Sequence, residues 1–420
     1  MYRFAHLADA HLGAHRDPIM RELEIKAFNL SLDRCIREKV DFILVCGDLF
    51  HVCIPDLAVV DEAVKKMRDA VDADIPIYVI YGSHDYSPNS TSIIDVLASA
   101  GIIRKIVDWE LVGDKIRLNL FLEPRTGAKL TGISARRAGL EDRYYDILDR
   151  RSLEREPGFK IFAFHSALDE FKPADMSRME SFATSLLPKG FDYYAGGHVH
   201  DRSDNKLPGY EKIVYPGALF PKDVRDLERT VKGEKRGFYI VSFDDKVREH
   251  EFVEVSVFDG LYIEHDVTDR TGEQANKGLQ AKIEVEEVNG KLVLLKVAGQ
   301  LSQGKTSDIN FQAIRRQLLT AGAIHVEVNR HGVTSKEYQV ITISGENVGE
   351  IEANLLKENI GSVKTSQPKL KGEEGLQLSK ELLRMLRTES QPGEGKRDYE
   401  TRVTTQGAEA LGLREELEKK

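Results

Sequence analysis

Residues 42–51 read FILVCGDLFH: five apolar residues, then Gly47 and Asp48, and three positions later His51. An apolar run this short, closed by a glycine, reads as a buried strand rather than a helix. Its far end is unusual, because an aspartate and a histidine stand where the strand leaves the core. Working outward, Phe4 to Ala8 and Ile77 to Ile80 form similar runs, separated from the first by two amphipathic segments. In the second segment Leu57, Val60, Val64, Met67 and Val71 recur at helical spacing. Strands alternating with helices predict a mostly parallel sheet covered on both faces. The runs at 161–164 and 193–197 add strands, and those at 237–243 and 249–256 close the unit.

The other strand ends repeat the pattern of the second. DAH after the first run supplies Asp9 and His11; GSHD after the third supplies Ser83, His84 and Asp85; His165 follows the run at 161, and GGHVH supplies His198 and His200. Eight of the 12 histidines fall in the first 200 residues, and six of these follow an expected strand. In open α/β sheets the carboxyl ends of the strands converge on one crevice, so these side chains should meet. Mixed imidazole and carboxylate donors suit divalent transition ions. Alternate residues of an extended segment share a side, so DxH and HxH can each clamp one ion. Seven candidate ligands are too many for one ion and natural for two, if a carboxylate bridges. Glycines before Asp48, Ser83 and His198 allow sharp turns and close approach.

The consecutive Ser83, His84 and Asp85 are not a nucleophilic triad. Serine must bond to histidine and histidine to carboxylate, and three neighbours in an extended segment point to alternating faces. The same residues suit a metal-binding loop.

In order and type, DxH, GD, GxHD, H and GHxH resemble the calcineurin-like metallophosphoesterase superfamily. The finer resemblance, through HLADAHLG at 6–13, GDLFH at 47–51, YGSHD at 81–85 and GGHVH at 196–200, is to the archaeal Mre-eleven family of DNA double-strand-break repair nucleases and its bacterial relative SbcD. It extends through KLVLLKVAGQLSQGKTSDINF at 291–311. Phosphatases of the superfamily continue GD as aspartate-arginine-glycine, whereas here it continues LFHVC, on the nuclease side. The resemblance implies an α/β fold, with a metallophosphoesterase-type β-sheet core flanked by helices, a small α+β cap domain and a C-terminal helical tail. It implies two Mn²⁺ ions, one held by Asp9, His11, Asp48 and His200, the other by Asp48, Ser83, His165 and His198, with Asp48 as bridge. His84 would protonate or stabilise the leaving oxygen with Asp85 behind it as orienter, and His51 would position the scissile phosphate or support the shell. Ser83 stands where the family has asparagine, so the second ion should be held less firmly; Asn89 is a possible substitute.

The same resemblance implies a Mn-dependent DNA nuclease, a 3′–5′ double-strand exonuclease and single-strand endonuclease, working as a homodimer with a coiled-coil ATPase of the Rad-fifty family. A phosphatase or small-molecule phosphodiesterase of the same fold, and a weakly active DNA-binding scaffold, are the alternatives. The expected divisions are 1–258 for the nuclease domain, 259–340 for the cap and 341–420 for a linker and ATPase-binding segment. In the cap, KIEVEEVNGKLVLLKV at 282–297 alternates on either side of Asn289-Gly290 and predicts a hairpin. A helix from Asp308 presents Phe311, Ile314 and Leu318, and AIHVEV follows as a strand. In the tail, Leu378, Leu382 and Met385 align on a helical island at 376–387, the candidate ATPase contact. Arg136, Arg137, Arg143, Arg150 and Arg151 make a basic region that either touches DNA phosphates or is a solvated helix face.

Length and charge are compatible with this. At 420 residues the chain exceeds one core. A net charge of −9 argues against indiscriminate coating of nucleic acid and confines DNA to a local patch. The opening MYRFAHLADAHLG enters a strand directly without a basic leader, and no apolar run is long enough for a bilayer, so no membrane contact and a cytoplasmic location are expected. Cys35, Cys46 and Cys53 are odd in number and lack metal spacing, so they read as buried thiols.

Overall fold

The computed structural model describes residues 1–87, 91–135, 142–173, 176, 179–336, 352, 356–357, 360, 370–389, 391 and 394–411. The chain divides into two compact units, Met1–Thr334 and Ser335–Lys420.

In place of one parallel sheet, the first unit contains two six-stranded mixed sheets. One runs Val247–Glu254, Gly237–Phe243, Tyr2–Leu7, Phe42–Cys46, Ile77–Ile80, Arg104–Lys105, and the other Ser203–Leu207, Tyr210–Tyr215, Tyr193–Gly197, Lys160–His165, Lys129–Ile133, Phe121–Leu122. The strands expected at 161 and 193 pair with each other, not with the first sheet, and the first sheet is completed by the antiparallel return of 237–254. The apolar runs are continuous because they are covered on both faces. Phe4, Phe42, Tyr78, Ile161 and Tyr193 pack in one core with members from both sheets. The first sheet also packs on the helices Pro18–Glu38 and Leu57–Asp72 through Leu23, Phe28, Val59 and Met67. Tyr145, Leu153, Phe162 and Tyr194 form the corresponding core on the second sheet.

Asp17 and Asp56 cap the two long helices, each accepting backbone N–H bonds from the first turn, with Pro18 at the helix start. The buried face of Leu57–Asp72 is Val59, Val60, Ala63, Met67 and Ala70. Leu57, expected on that face, is instead exposed.

The cap region is a three-stranded sheet, Asp259–Asp266, Lys291–Leu301 and His325–Ser335, with a core of its own that includes Leu279, Leu295, Phe311, Ile314 and Leu318. The hairpin expected about Asn289-Gly290 is not formed. Lys282 to Glu284 end the helix Gly272–Glu284, whose Ala275, Leu279 and Ile283 are buried, and Lys291–Leu301 pairs in parallel with Asp259–Asp266. Gly290, at φ +72°, turns the helix exit into the strand. The expected helix and strand after Asp308 are present as Phe311–Thr320 and His325–Ser335.

The second unit contains the helices Gly372–Leu386 and Lys396–Leu411, which pack on each other. No helix among the described residues is long and apolar enough to cross a membrane.

Candidate metal centre

Parallel pairing brings the strand ends into one place. Beyond the strands, the segments at 9–12 and 47–51 remain zipped together: Asp9 N donates to Gly47 O, His11 N to Asp48 O, Leu12 N to Leu49 O and His51 N to Leu12 O, at 2.9–3.1 Å. Gly197 pairs with His165, so His198 leaves its strand beside the His165 ring, 5.2 Å between centroids. Glycine is required at position 82, where a Cβ would collide with the Asp48 carboxylate and amide, and at 197, where it would collide with the Cys46 carbonyl. Four non-glycine residues here adopt left-handed backbone, Asp9 (φ 51°), His11 (47°), Asp48 (51°) and His198 (85°). That conformation costs about 1–2 kcal/mol each, so the surrounding packing holds the site in place.

Ligand-type atoms converge. His11 Nε2 lies 3.1 Å from His200 Nε2 and 3.5 Å from Asp48 Oδ2. His165 Nε2 lies 3.3 Å from Asp48 Oδ2 and 4.0 Å from Asp9 Oδ1. Within 4.8 Å of one another stand the donor atoms of Asp9, His11 and His200, of Asp9, Asp48 and His165, and of His11, His51 and His84. Asp9 is common to the first two groups, and Asp48 reaches both His11 and His165, so both carboxylates lie between the two positions. His198 is in none of these groups; its amide instead donates to both Asp9 oxygens at 3.1 and 2.9 Å. Ser83 is exposed, and its Oγ donates to Asp48 Oδ2 at 3.4 Å.

Hydrogen bonds fix the imidazoles for metal. His165 Nδ1 bonds the Cys46 carbonyl at 2.8 Å, and His200 Nδ1 bonds Asp226 Oδ2 at 2.6 Å. Both partners accept, so each Nδ1 carries the hydrogen and Nε2 offers its lone pair to the cluster. Two imidazole nitrogens facing each other at 3.1 Å beside two buried carboxylates suit a divalent cation in their midst. Burial pushes the Asp9 carboxyl up. Burial pushes Asp48 up too, but the His165 imidazole outweighs it and holds Asp48 well below the usual range. His165 is driven down by burial, yet the Asp48 carboxylate raises it to about 10. A cation held here would take the place of the proton that this pair otherwise favours on His165.

His84 Nδ1 donates to the His51 carbonyl at 2.6 Å, leaving Nε2 for an incoming group. Its ring stacks on His51 at 4.8 Å and meets His11 edge-on at 4.9 Å. Burial and the neighbouring His84 lower His51 to about 4. Asp85 does not orient His84. It is fully buried and accepts from the Gly82 and Phe50 amides at 2.9 and 3.3 Å, so it braces the loop; burial, with repulsion from Asp48, lifts it to about 7.

Sequence reasoning missed Asp226, on the helix Val224–Val231, and Arg236, which donates to the carbonyls of His200 (2.6 Å) and Asp226 (3.1 Å). No local pattern marks them. Arg150 of the expected basic region is committed to the Ser185 and Tyr145 carbonyls; Arg136, Arg137 and Asn89 lie outside the described residues.

The family model for calcineurin-like phosphoesterases matches residues 2–202. A DNA double-strand break repair protein Mre11 of Archaeoglobus fulgidus is 26% identical over 272 residues, 60% of this chain and 59% of that protein. The protein of the same name from Methanopyrus kandleri is 29% identical over 273 residues, 60% and 57% of the two chains, and that of Thermoplasma acidophilum 26% over 310 residues, 71% and 77%. The matches thus span less than two thirds of the first two relatives.

Proposed function

We propose that this chain, whose residues 2–202 are a calcineurin-like phosphoesterase domain related to the archaeal Mre11 proteins, is a manganese-dependent DNA nuclease that processes broken ends, with 3′–5′ exonuclease and single-strand endonuclease action. The observation that carries this reading is the convergence of Asp9, His11, Asp48, His165 and His200 beside His84. Asp9, His11, Asp48 and His200 would hold one ion, and Asp48, Ser83, His165 and His198 the other, with Asp9 near enough to contribute to both. Bound there, two divalent ions polarise a phosphodiester and lower the pKa of an attacking water. His165 and His200 keep their Nε2 lone pairs on the cluster through their Nδ1–H bonds. His84, anchored on the His51 carbonyl, offers Nε2 to the leaving oxygen, and His51, stacked on it, shields and positions it.

Partners belong to the same reading. The helix Gly372–Leu386, with Leu386 exposed at its end, is the candidate contact for a Rad50-type ATPase. A homodimer is supported by an apolar surface: Ile54 is 70% exposed, Leu57 78% and Val96 52%, and a bond from Ile93 N to Cys53 O ties their segments together.

The test is cleavage of linear duplex DNA with Mn²⁺ titrated against Mg²⁺, alongside a His84→Ser variant. Manganese-dependent cleavage that disappears in the variant while DNA binding persists supports the reading. Cleavage retained in the variant removes His84 from the chemistry, and DNA binding without cleavage at any metal concentration leaves the scaffold alternative in its place.

A further inference from the structure

The loop that carries Ser83 and His84 has a second side. Tyr81 and Tyr86, at its two ends, line a cleft of about 370 Å³ together with Asp95, Lys105, Trp109 and Ser134. Two large rings stand open to solvent there, Tyr86 at 37% and Trp109 at 41% exposure. Trp109 meets Tyr144 edge-on at 6.1 Å. The polar part is a fixed triad: Lys105 Nζ donates to Asp95 Oδ1 at 2.8 Å and lies 5.6 Å from the centre of the Tyr81 ring, and Tyr81 OH also bonds Asp95. The wall is rigid, because Tyr81 N donates to Ser134 Oγ at 3.1 Å and Tyr81 O accepts from Ala135 N at 3.0 Å.

We infer that this cleft receives an unpaired nucleobase of the strand whose phosphate lies at the metal centre. The inference rests on the proposed nuclease function and adds a subsite to it. Tyr86 follows His84 by two residues, within about 7 Å of backbone, so a base in the cleft and a phosphate beside His84 can belong to neighbouring positions of one strand. Solvent-exposed aromatic rings offer flat apolar faces that any base can stack upon, and in a duplex the faces of the bases are already covered by stacking between neighbouring pairs. Asp95 is filled, its Oδ1 by Lys105 and Tyr81 and its Oδ2 by the Ser92 amide and hydroxyl, so of the Lys105–Asp95 pair it is Lys105 that has an N–H left for a base edge. Their charges cancel, so the cleft selects for a base more than for a phosphate. The subsite therefore favours single-stranded or frayed DNA and sets which nucleotide stands over the metals.

Trp109 is the only tryptophan in the 420 residues, so the intrinsic emission of the full chain reports on the cleft directly. A single-stranded oligothymidylate titrated in buffer without divalent ions should quench this emission, whereas a blunt duplex of two separate complementary strands should not. With binding read by the fluorescence anisotropy of an end-labelled oligothymidylate, which does not depend on the tryptophan, Trp109→Ala and Tyr86→Ala should each weaken it about five- to hundredfold, the range that stacking one base on a ring supports, and Trp109→Phe should restore it. Manganese-dependent hydrolysis of p-nitrophenyl methyl phosphate, which carries no base, should be unchanged in Trp109→Ala and Tyr86→Ala. Equal binding by wild type and both alanine variants, equal quenching by the blunt duplex, or emission that changes only with self-association of the protein would each overturn the subsite. Failure of the wild type to hydrolyse the small diester at all would instead overturn the nuclease reading, and the fluorescence result stands apart from it. Tyr86 lies on a surface loop, so its variant answers the question even if Trp109→Ala does not fold.

Discussion

Replacing Asp226 by asparagine should weaken cation binding without touching a ligand. The Asp226 carboxylate bonds His200 Nδ1 at 2.6 Å and also accepts from the Lys222 amide at 3.3 Å. Burial pushes this acid up, but the bond to His200 outweighs it and brings the group to about 2. A shift of about two units from an ordinary aspartate corresponds to roughly 2–3 kcal/mol, an upper bound on what the carboxylate gives the imidazole. An asparagine oxygen can accept the same hydrogen, but without a charge to make the ring more basic. An asparagine turned the other way presents its NH₂ to Nδ1, which forces the hydrogen onto Nε2 and aims it at His11 instead of at a cation. Both outcomes lower affinity, by about ten- to hundredfold for the loss of such an outer partner. The assay is calorimetric titration of Mn²⁺ into metal-stripped wild type and Asp226→Asn, with thermal unfolding of both to confirm that the fold is retained and Asp226→Glu as the conservative comparison. Equal Mn²⁺ affinity in wild type and Asp226→Asn would refute the argument that Asp226 sets the His200 tautomer and basicity.

The same geometry leads to three further outcomes. Ser83→Asn, whose longer amide reaches further past Asp48 than the 3.4 Å hydroxyl contact does, should tighten the weaker of two Mn²⁺ binding steps several-fold; an unchanged or weakened second step would remove position 83 from the shell. His6 is fully buried against the Tyr193 hydroxyl, and burial lowers it to about 3. The folded protein holds it neutral while the unfolded chain protonates near 6.5, so stability is lost as pH falls through that window, by about 2 kcal/mol at pH 5; His6→Gln should flatten the slope of unfolding free energy between pH 7 and 5, and an identical slope would show that another group controls it. Ile54→Glu with Leu57→Glu should convert a dimer to a monomer in analytical ultracentrifugation while leaving hydrolysis of a small diester intact, and a persistent dimer would place the interface elsewhere.

How much was legible depends on where the constraints lie. A buried strand must be apolar throughout, so an aspartate or histidine at its end stands out from the residues before it; that contrast singled out Asp9, His11, Asp48, His165, His198 and His200, and the donor atoms of all but His198 fall into the close groups described above. The pairing of those strands carries no such mark. FILVC at 42–46 and IFAF at 161–164 are equally apolar, and only the tertiary structure assigns them to different sheets. The cap misled for a related reason. Val285 and Val288 near Asn289-Gly290 fit a hairpin strand or a helix exit, and the decision fell to Leu279 and Ile283, whose helical spacing lies just upstream. Asp85 was given to His84 because they are neighbours in sequence, but its oxygens are taken by the amides of Gly82 and Phe50. Asp226 sits in DVRDLERTV, an ordinary polar helix with a real N-cap at Asp223, and its role depends on a contact 26 residues away.

That helix also shows why the cap cannot be treated as a separate appendage of the metal centre. Val224–Val231 turns Asp226 toward His200 on one side, and on the other its Glu228 accepts from Lys296 at 2.8 Å and from the Tyr262 hydroxyl at 3.3 Å, both on strands of the cap sheet. Asp226 and Glu228 are two residues apart on a helix of only eight, so the element is too short to bend between them. A shift of the cap strands that carried Glu228 with it would have to move Asp226 or break one of these bonds. The Asp226–His200 bond is buried at the Asp226 end and braced by Arg236, which also binds the His200 carbonyl, whereas the Glu228 contacts lie nearer solvent, where ion pairs contribute little. The weaker link is therefore on the cap side, and movement of the cap should be absorbed there before it disturbs the ligand.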